Sequence, residues 1–226
     1  MLIPPTAFWN LMARNYSRQK VADEDAYRHK LEVTASHLSP GDRVLEFGCG
    51  TGTTALIHAP RVARIDAIDF SSKMIAIARE KAAAEGTTNV RFETAAFEDW
   101  PLPAGDDRYD AVLGMSILHL VADLDATLAR VRQALKPGGR FFSSTVCLGD
   151  MSGGLLLALL GPLGAIGVLP KVTRLTADAL VARMKAAGFT VEEVWRPKPD
   201  AAVFIIARAP ATAKAETVPE TESKAR

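Results

Sequence analysis

The chain has few cysteines, few aromatic residues and almost no net charge. Its 226 residues include two cysteines and 7% aromatic residues, with a formal net charge of +1 at pH 7. Two cysteines, Cys49 and Cys147, predict no disulfide framework and fit a reducing cytoplasm. The near-zero charge gives no electrostatic case for nucleic acid, so a small-molecule partner is favoured. Residues 1–10 lack a basic segment followed by an apolar one, which argues against a secretory signal.

Metal-ligand spacing is also missing from the sequence. His29, His37 and His58 do not stand at the spacings from cysteines or acids that bind metals, so no metal site is predicted.

Apart from residues 151–170, the sequence contains no long uncharged stretch. This segment is as long as a membrane span, but it contains five glycines and two prolines, which disfavour a continuous helix. Predicted strands of one sheet also stand on both sides of it. We therefore expect an apolar substrate cap at about residues 150–172. Core-packing helix and loop is the close alternative, and a membrane span is the least favoured.

Strand and helix patterns alternate from residue 41 onwards, which predicts a parallel sheet with helices on both faces. Ser71 and Thr176 are expected helix caps, and residues 136–139 should end the helix that begins at Leu124. Only residues 196–200 join the last two strands, so these should pair antiparallel. The predicted strands cover residues 43–47, 64–68, 90–94, 109–113, 140–146, 190–195 and 202–207.

Three segments follow from these patterns. Residues 1–40 have helical propensity and are expected to form a helical cap, and residues 41–209 form the main domain. Residues 210–226 are rich in Ala, Thr, Glu, Lys and Pro and are expected to be disordered.

The most informative segment is residues 44–52, an apolar strand followed by alternating glycines. Glycines at a sharp turn let the backbone approach a ligand closely, which suits a nucleoside cofactor. A dinucleotide fingerprint would need a third glycine where Thr53 stands. The carboxylate of Glu46 would repel a phosphate, whereas a sulfonium cation with an amino-acid tail would suit it.

Residues 46–52 match the motif E-x-G-x-G-x-G at every fixed position. Here the chain resembles the class I S-adenosylmethionine (SAM) dependent methyltransferases, over about residues 41–208. The branch it resembles acts in ubiquinone and menaquinone biosynthesis. The resemblance implies SAM as cofactor and a doubly wound α/β, Rossmann-like fold. Its seven-stranded sheet should have the order 3-2-1-4-5-7-6, with an antiparallel last strand.

The resemblance also implies a set of cofactor contacts. Asp69, after the second strand, should accept hydrogen bonds from the ribose hydroxyls; capping the next helix is its alternative role. Ala96 stands where the family usually has an acid for the adenine amino group, so Glu98 or Asp99 is the candidate replacement, unless both are solvated loop charges. The expected cofactor-binding residues are Glu46, Gly48, Cys49, Gly50, Gly52, Asp69, Phe70, Met74, Ala96, Phe97, Glu98 and Met115.

Two residues are catalytic candidates. His119 follows the fourth strand and is a candidate general base, with a helix-starting, backbone-bonded histidine as the alternative. Tyr16 is a candidate lid over the methyl donor, and a surface tyrosine is its alternative.

These features predict methyl transfer from SAM to a small, apolar or lipid-like acceptor by in-line displacement. A quinone precursor or a phospholipid headgroup would fit. The protein is expected in the cytoplasm, with peripheral contact to a membrane left open. The alternatives are a non-catalytic SAM-binding module and, disfavoured by Thr53, an NAD(P)-dependent oxidoreductase.

Overall fold

The computed structural model describes residues 4–19, 21–150 and 175–211. They contain one seven-stranded sheet of order β3-β2-β1-β4-β5-β7-β6, in which β7 runs antiparallel to β5 and β6. The predicted strand order and the antiparallel hairpin are confirmed. The strands are β1 Arg43–Phe47, β2 Arg64–Asp69, β3 Val90–Thr94, β4 Tyr109–Met115, β5 Leu135–Thr145, β6 Thr190–Trp195 and β7 Val203–Arg208.

Six α-helices lie in the described ranges, and side chains cap several of them. The Ser71 hydroxyl accepts a hydrogen bond from the Met74 N–H, and the Thr176 hydroxyl accepts one from the Ala179 N–H, so both predicted caps are confirmed. The helices are α1 Pro5–Arg18, α2 Glu24–Ser36, α3 Thr53–His58, α4 Ser72–Glu85, α5 Leu124–Ala134 and α6 Ala177–Ala186.

The start of β5 differs from the prediction. Helix α5 ends at Ala134 and the strand begins at Leu135, whereas the predicted strand began at Arg140 and residues 136–139 were expected only to end the helix. The pairing with β4 shifts register between Tyr109 and Ala111, and an irregularity of this kind lets a strand accommodate proline and glycine. The Gly139 carbonyl also accepts a hydrogen bond from the Ala209 N–H at 2.8 Å. Leu135 and Arg140 pair with β4 on either side of these four residues, and the backbone hydrogen bond to Ala209 holds Gly139, so long-range contacts override the local turn signal.

Helices cover both faces of the sheet. Phe141 packs on one face in a cluster that includes Leu128 and Leu180 of α5 and α6. Phe142 belongs to the cluster on the other face, which includes Ile75 of α4. Successive side chains of a strand point to opposite faces, so β5 contributes to both layers.

Helices α1 and α2 lie beside the carboxyl ends of the central strands. The Asn10 side-chain oxygen accepts hydrogen bonds from the Ser71 hydroxyl at 2.7 Å and the Lys73 N–H at 3.2 Å, which holds α1 against α4. The ring of His29 lies 4.2 Å from the ring of Trp195 and connects α2 to β6. Two helices thus enclose space above the glycine turn.

The expected cap at about residues 150–172 and the expected tail at 210–226 lie almost entirely outside the described residues. Within the described ranges, no helix combines the length and apolar character needed to cross a membrane.

Candidate active site

The glycine turn after β1 has a backbone that only glycine adopts easily. Gly48, Gly50 and Gly52 have φ values of +64°, +54° and +75°. A Cβ at Gly48 would lie 2.7 Å from Ile117 Cγ1, and one at Gly52 would lie 2.6 Å from the ring of Phe92. A Cβ at Gly50 would meet only the Tyr16 ring, at 3.6 Å. Packing therefore excludes side chains at Gly48 and Gly52, while Gly50 has an open side.

Glu46 is a buried carboxylate at the end of β1, and it lines the cavity above the turn. The Ala55 N–H donates to this carboxylate, but Oε2 has no hydrogen-bond partner among the described residues. Burial raises the pKa of Glu46 to about 8, with a smaller contribution from the charge of Asp69. An unsatisfied buried carboxylate oxygen is costly, and a ligand ammonium group would satisfy it.

Asp69, at the end of the neighbouring strand β2, holds the glycine turn in place. Its Oδ2 accepts from the Gly50 N–H at 3.0 Å and its Oδ1 accepts from the Ser71 N–H at 2.8 Å. Burial raises its pKa, and these two hydrogen bonds oppose the rise. Each oxygen keeps a further lone pair that can accept a hydroxyl proton.

One cavity of about 690 Å³ lies between α1, α2 and the carboxyl ends of β1 and β4. This volume falls within the range of roughly 300–1,000 Å³ that is usual for small-molecule sites. Glu46, the glycine turn, Tyr27, Lys30 and Met115 line it, and the Tyr27 hydroxyl lies 3.2 Å from the Thr54 hydroxyl of α3. Apolar side chains at its edge come from Val21, Ala22, Ala26, Pro197 and Ala202.

Comparisons with known proteins agree with this geometry. A family model described as a methyltransferase domain matches residues 44–139. The ubiquinone biosynthesis O-methyltransferase of Xanthomonas axonopodis pv. citri (strain 306) is 32% identical over 171 residues, which cover 73% of this chain and 70% of that protein. The chain belongs to the class I SAM-dependent methyltransferases.

A second relative of this methyltransferase is aligned over a shorter stretch. The demethylmenaquinone methyltransferase of Symbiobacterium thermophilum is 32% identical over 124 residues, or 53% of this chain. The aligned part spans 47% of that relative's length, so less than half of it is represented.

Solved structures share the fold. The geranyl diphosphate C-methyltransferase of Streptomyces coelicolor A3(2) superposes with a TM-score of 0.69, covering 91% of this chain and 99% of that one, at 15% identity. At this identity the likeness establishes the fold alone.

The residues at the turn fit SAM, the methyl donor of this family. SAM carries an ammonium group that could donate to Glu46 Oε2, which has no partner among the described residues, and the one side chain near the Cβ position of Gly50 is the Tyr16 ring. Ribose hydroxyls could reach the remaining lone pairs of Asp69. The methyltransferase therefore has a carboxylate, a turn and a second acid in an order that suits SAM.

Tyr16 of α1 lies over the glycine turn and lines the cavity. Its ring makes an edge contact with Trp9, with centroids 6.2 Å apart. Burial raises the pKa of Tyr16, and the charges of Asp69 and Glu46 raise it further, although 44% of the residue remains exposed. The structure therefore places the candidate lid over the glycine turn.

The structure places the predicted site residues in two groups. Those that line the cavity are Tyr16, Glu46, Gly48, Cys49, Gly50 and Met115. Outside the lining are Gly52, Asp69, Phe70, Met74, Ala96, Phe97, Glu98 and His119. Met74 is 2% exposed, and the Phe97 ring stacks on Phe47 with centroids 4.4 Å apart. The cofactor contacts predicted for the residues of both groups remain predictions.

His119 is half-buried, and its Nδ1 has no hydrogen-bond partner within the described part of the chain. Burial lowers its pKa to about 4, so the imidazole is neutral at pH 7. Its role as a general base remains a prediction.

Sequence reasoning missed four polar residues that line this cavity or a small pocket beside it, Tyr27, Lys30, Ser116 and Ser144. Tyr27 and Lys30 lie one helical turn apart on α2, and i, i+3 spacing could have indicated a shared face. Ser116 and Ser144 pair through their backbones, with the Ser116 N–H donating to the Ser144 carbonyl at 2.7 Å. Ser116 has a φ of +59°, which is uncommon outside glycine and has no sequence signal here.

Proposed function

We propose that this chain transfers the methyl group of SAM to a small, apolar or lipid-like acceptor by in-line displacement. The observation that carries the proposal is one cavity lined by the glycine turn and Glu46 together with Tyr27, Lys30 and Met115. The donor is intrinsically activated, so the protein needs mainly to align the acceptor and to exclude water. One cavity that held both molecules would meet that requirement.

Two observations support an apolar acceptor. Alanine, valine, proline and methionine side chains contribute much of the cavity lining. The two relatives described above are named for ubiquinone biosynthesis and for demethylmenaquinone. We therefore propose a quinone precursor or a molecule of similar character, with a phospholipid headgroup as the other acceptor class.

The position of each residue suggests its role in binding SAM or the acceptor. Glu46 would pair with the ammonium group of SAM, Asp69 would accept from the ribose hydroxyls, and Tyr16 would cover the donor. Met115 would form the floor next to the acceptor. His119, neutral at pH 7, would accept the acceptor's proton where one must leave. The remaining proposed cofactor contacts are Gly48, Cys49, Gly50, Gly52, Phe70, Met74, Ala96, Phe97 and Glu98.

We also propose that the reaction takes place in the cytoplasm, with contact to a membrane surface when the acceptor is membrane-bound. The free thiols of Cys49 and Cys147 support a reducing compartment. Co-sedimentation with vesicles of anionic phospholipid would test the membrane contact.

The proposal is tested by mass spectrometry of small molecules that co-purify with the protein, followed by turnover with methyl-deuterated SAM. Acceptor candidates are an alkylated catechol, an alkylated hydroquinone and phosphatidylethanolamine vesicles. We expect S-adenosylhomocysteine (SAH) and a deuteromethylated product with at least one of them. If SAM binds but no SAH forms with any of these or with a co-purified molecule, the chain is a non-catalytic SAM-binding module.

A further inference from the structure

Lys30 projects from α2 into the acceptor side of the cavity. Its Nζ donates a hydrogen bond to the Ser144 hydroxyl at 3.0 Å, and Ser144 is 3% exposed. Lys30 also lines an adjoining pocket of about 50 Å³, which shares Tyr27, Met115 and Ser116 with the main cavity. The ammonium group thus stands where the two spaces meet.

This ammonium group has no ion-pair partner within the described ranges, where no carboxylate oxygen lies within 4.0 Å of it. Lys136 shows how the same fold satisfies a comparable lysine, because its Nζ meets both oxygens of Asp110 at 2.8 and 3.0 Å. Removing an ammonium from water without an opposite charge is costly. Burial accordingly lowers the pKa of Lys30.

The two acids that line the cavity, Asp23 and Glu46, each have another role. Asp23 accepts from the Ala26 N–H at 2.9 Å and caps α2, and its field only weakly offsets the burial of Lys30. In the proposed function, Glu46 pairs with the ammonium group of SAM. Around Lys30 the polar groups are hydroxyls instead, those of Tyr27, Thr54, Ser116 and Ser144, and the hydroxyls of Tyr27 and Thr54 lie 3.2 Å apart. Hydroxyls and an ammonium group can all donate to an anion.

We propose that Lys30, together with the hydroxyls of Tyr27 and Ser116, binds an anionic oxygen of the acceptor. The acceptor is then an apolar molecule that carries one carboxylate or phosphate group, and Lys30 is a positioning residue that fixes its orientation relative to the methyl donor. This inference rests on the proposed function, because it concerns the second substrate of that reaction. The left-handed backbone of Ser116 supports it, since strained residues of this kind gather at ligand sites.

The test uses three probes with the same apolar tail: para-heptylbenzoate, para-heptylphenyl phosphate and the neutral para-heptylbenzamide. Each is titrated calorimetrically into the full chain saturated with SAH. We expect at least one anion to bind about tenfold or more tightly than the amide, as a charge-assisted pair implies. The benzoate and phosphate arms distinguish the two anionic groups.

Variants assign the preference to Lys30. In Lys30→Met the preference should fall to about twofold or less, and Lys30→Arg should restore part of it. Lys185→Met is the matched control, because it removes one exposed lysine of α6 outside the cavity lining and should behave like the unmodified protein. If Lys30→Met unfolds, Lys30→Gln replaces it and can keep a hydrogen bond to Ser144.

Three results would overturn the inference: equal binding of amide and anions by the unmodified protein, binding of none of the probes, or an anion preference that survives in Lys30→Met. The last result would mean that Lys30 only ties α2 to β5 through Ser144. SAH affinity is measured first in every variant. If the unmodified protein does not bind SAH, that result counts against the proposed function itself.

Discussion

Glu46 and Asp69 end neighbouring strands, but their carboxylates have different partners. Both oxygens of Asp69 accept backbone N–H groups, from Gly50 and Ser71. Glu46 is more deeply buried, and its Oε2 has no partner among the described residues. One acid therefore holds the glycine turn, while the other remains available to a ligand.

The first prediction concerns stability against pH in the absence of SAM. The pKa of Glu46 is raised from 4.5 to about 8 by burial, so the folded state holds this proton more tightly than the unfolded state. Its contribution to stability is complete below about pH 4.5 and is lost as pH rises through about 8. Glu46→Gln stays neutral and removes this dependence. Urea unfolding at pH 5 and pH 8 should show a decline about 3–4 kcal/mol larger in the unmodified protein.

The same comparison contains its own control. Every other titrating group is shared by the two proteins, so only the difference between their slopes is assigned to Glu46. Identical slopes would show that Glu46 is ionised in the folded, SAM-free protein.

The second prediction separates two roles of Asp69. Asp69→Asn should weaken SAH binding by about 1–3 kcal/mol, the usual effect of losing a hydrogen bond to a charged group. For an SAH analogue that lacks both ribose hydroxyls, the variant and the unmodified protein should bind about equally. Equal losses for both ligands in calorimetric titrations would mean that Asp69 acts only by holding Gly50 and Ser71.

The third prediction compares alanine at the glycines of the turn. Gly48→Ala and Gly52→Ala combine positive φ with contacts at 2.7 and 2.6 Å, and each should lower the free energy of unfolding by about 2–4 kcal/mol. Gly50→Ala has only the φ cost, about 1–2 kcal/mol, because its nearest contact is at 3.6 Å. Urea titration gives these values, and a Gly50→Ala loss as large as the others would contradict the packing account.

The fourth prediction concerns the Tyr16 ring. Tyr16→Ala should weaken SAH binding about tenfold, because the ring covers the turn and its removal exposes the ligand to water. Tyr16→Phe keeps the ring and should change the affinity about twofold or less. Equal and large losses in both variants would assign the effect to the hydroxyl group instead.

Several parts of the fold could be predicted from local chemistry. The seven residues between β6 and β7 leave no room for a helical crossover, so the antiparallel pairing follows from chain length. Ser71 and Thr176 indicate their helices because a capping hydroxyl acts within three residues. The start of β5 could not be found in this way, since residues 136–139 lie between the β4 pairings of Leu135 and Arg140, and Gly138 and Gly139 are held by backbone hydrogen bonds to Pro210 and Ala209 after β7.

Only the part of the candidate site formed by Glu46 and the glycine turn could be predicted from the sequence. Glu46 and the glycines form a contiguous motif, and their geometry reflects local backbone requirements. Tyr27 and Lys30 belong to no motif, and their position depends on how α2 packs beside β4 and β5. Ser144 is an ordinary strand residue in sequence and becomes a partner of Lys30 only in the folded chain.

The central claim is that Glu46 and the glycine turn bind SAM, and calorimetric titration of SAM at pH 7 tests it most directly. The titration is run in two buffers of different ionisation enthalpy, on the unmodified protein and on Glu46→Gln. About nine-tenths of Glu46 is protonated at pH 7 when its pKa is about 8, so pairing with the ammonium group should release most of one proton. Glu46→Gln should bind about 10- to 100-fold more weakly and show no such release. Absence of SAM binding, or equal affinity and equal proton release in both proteins, would contradict the account.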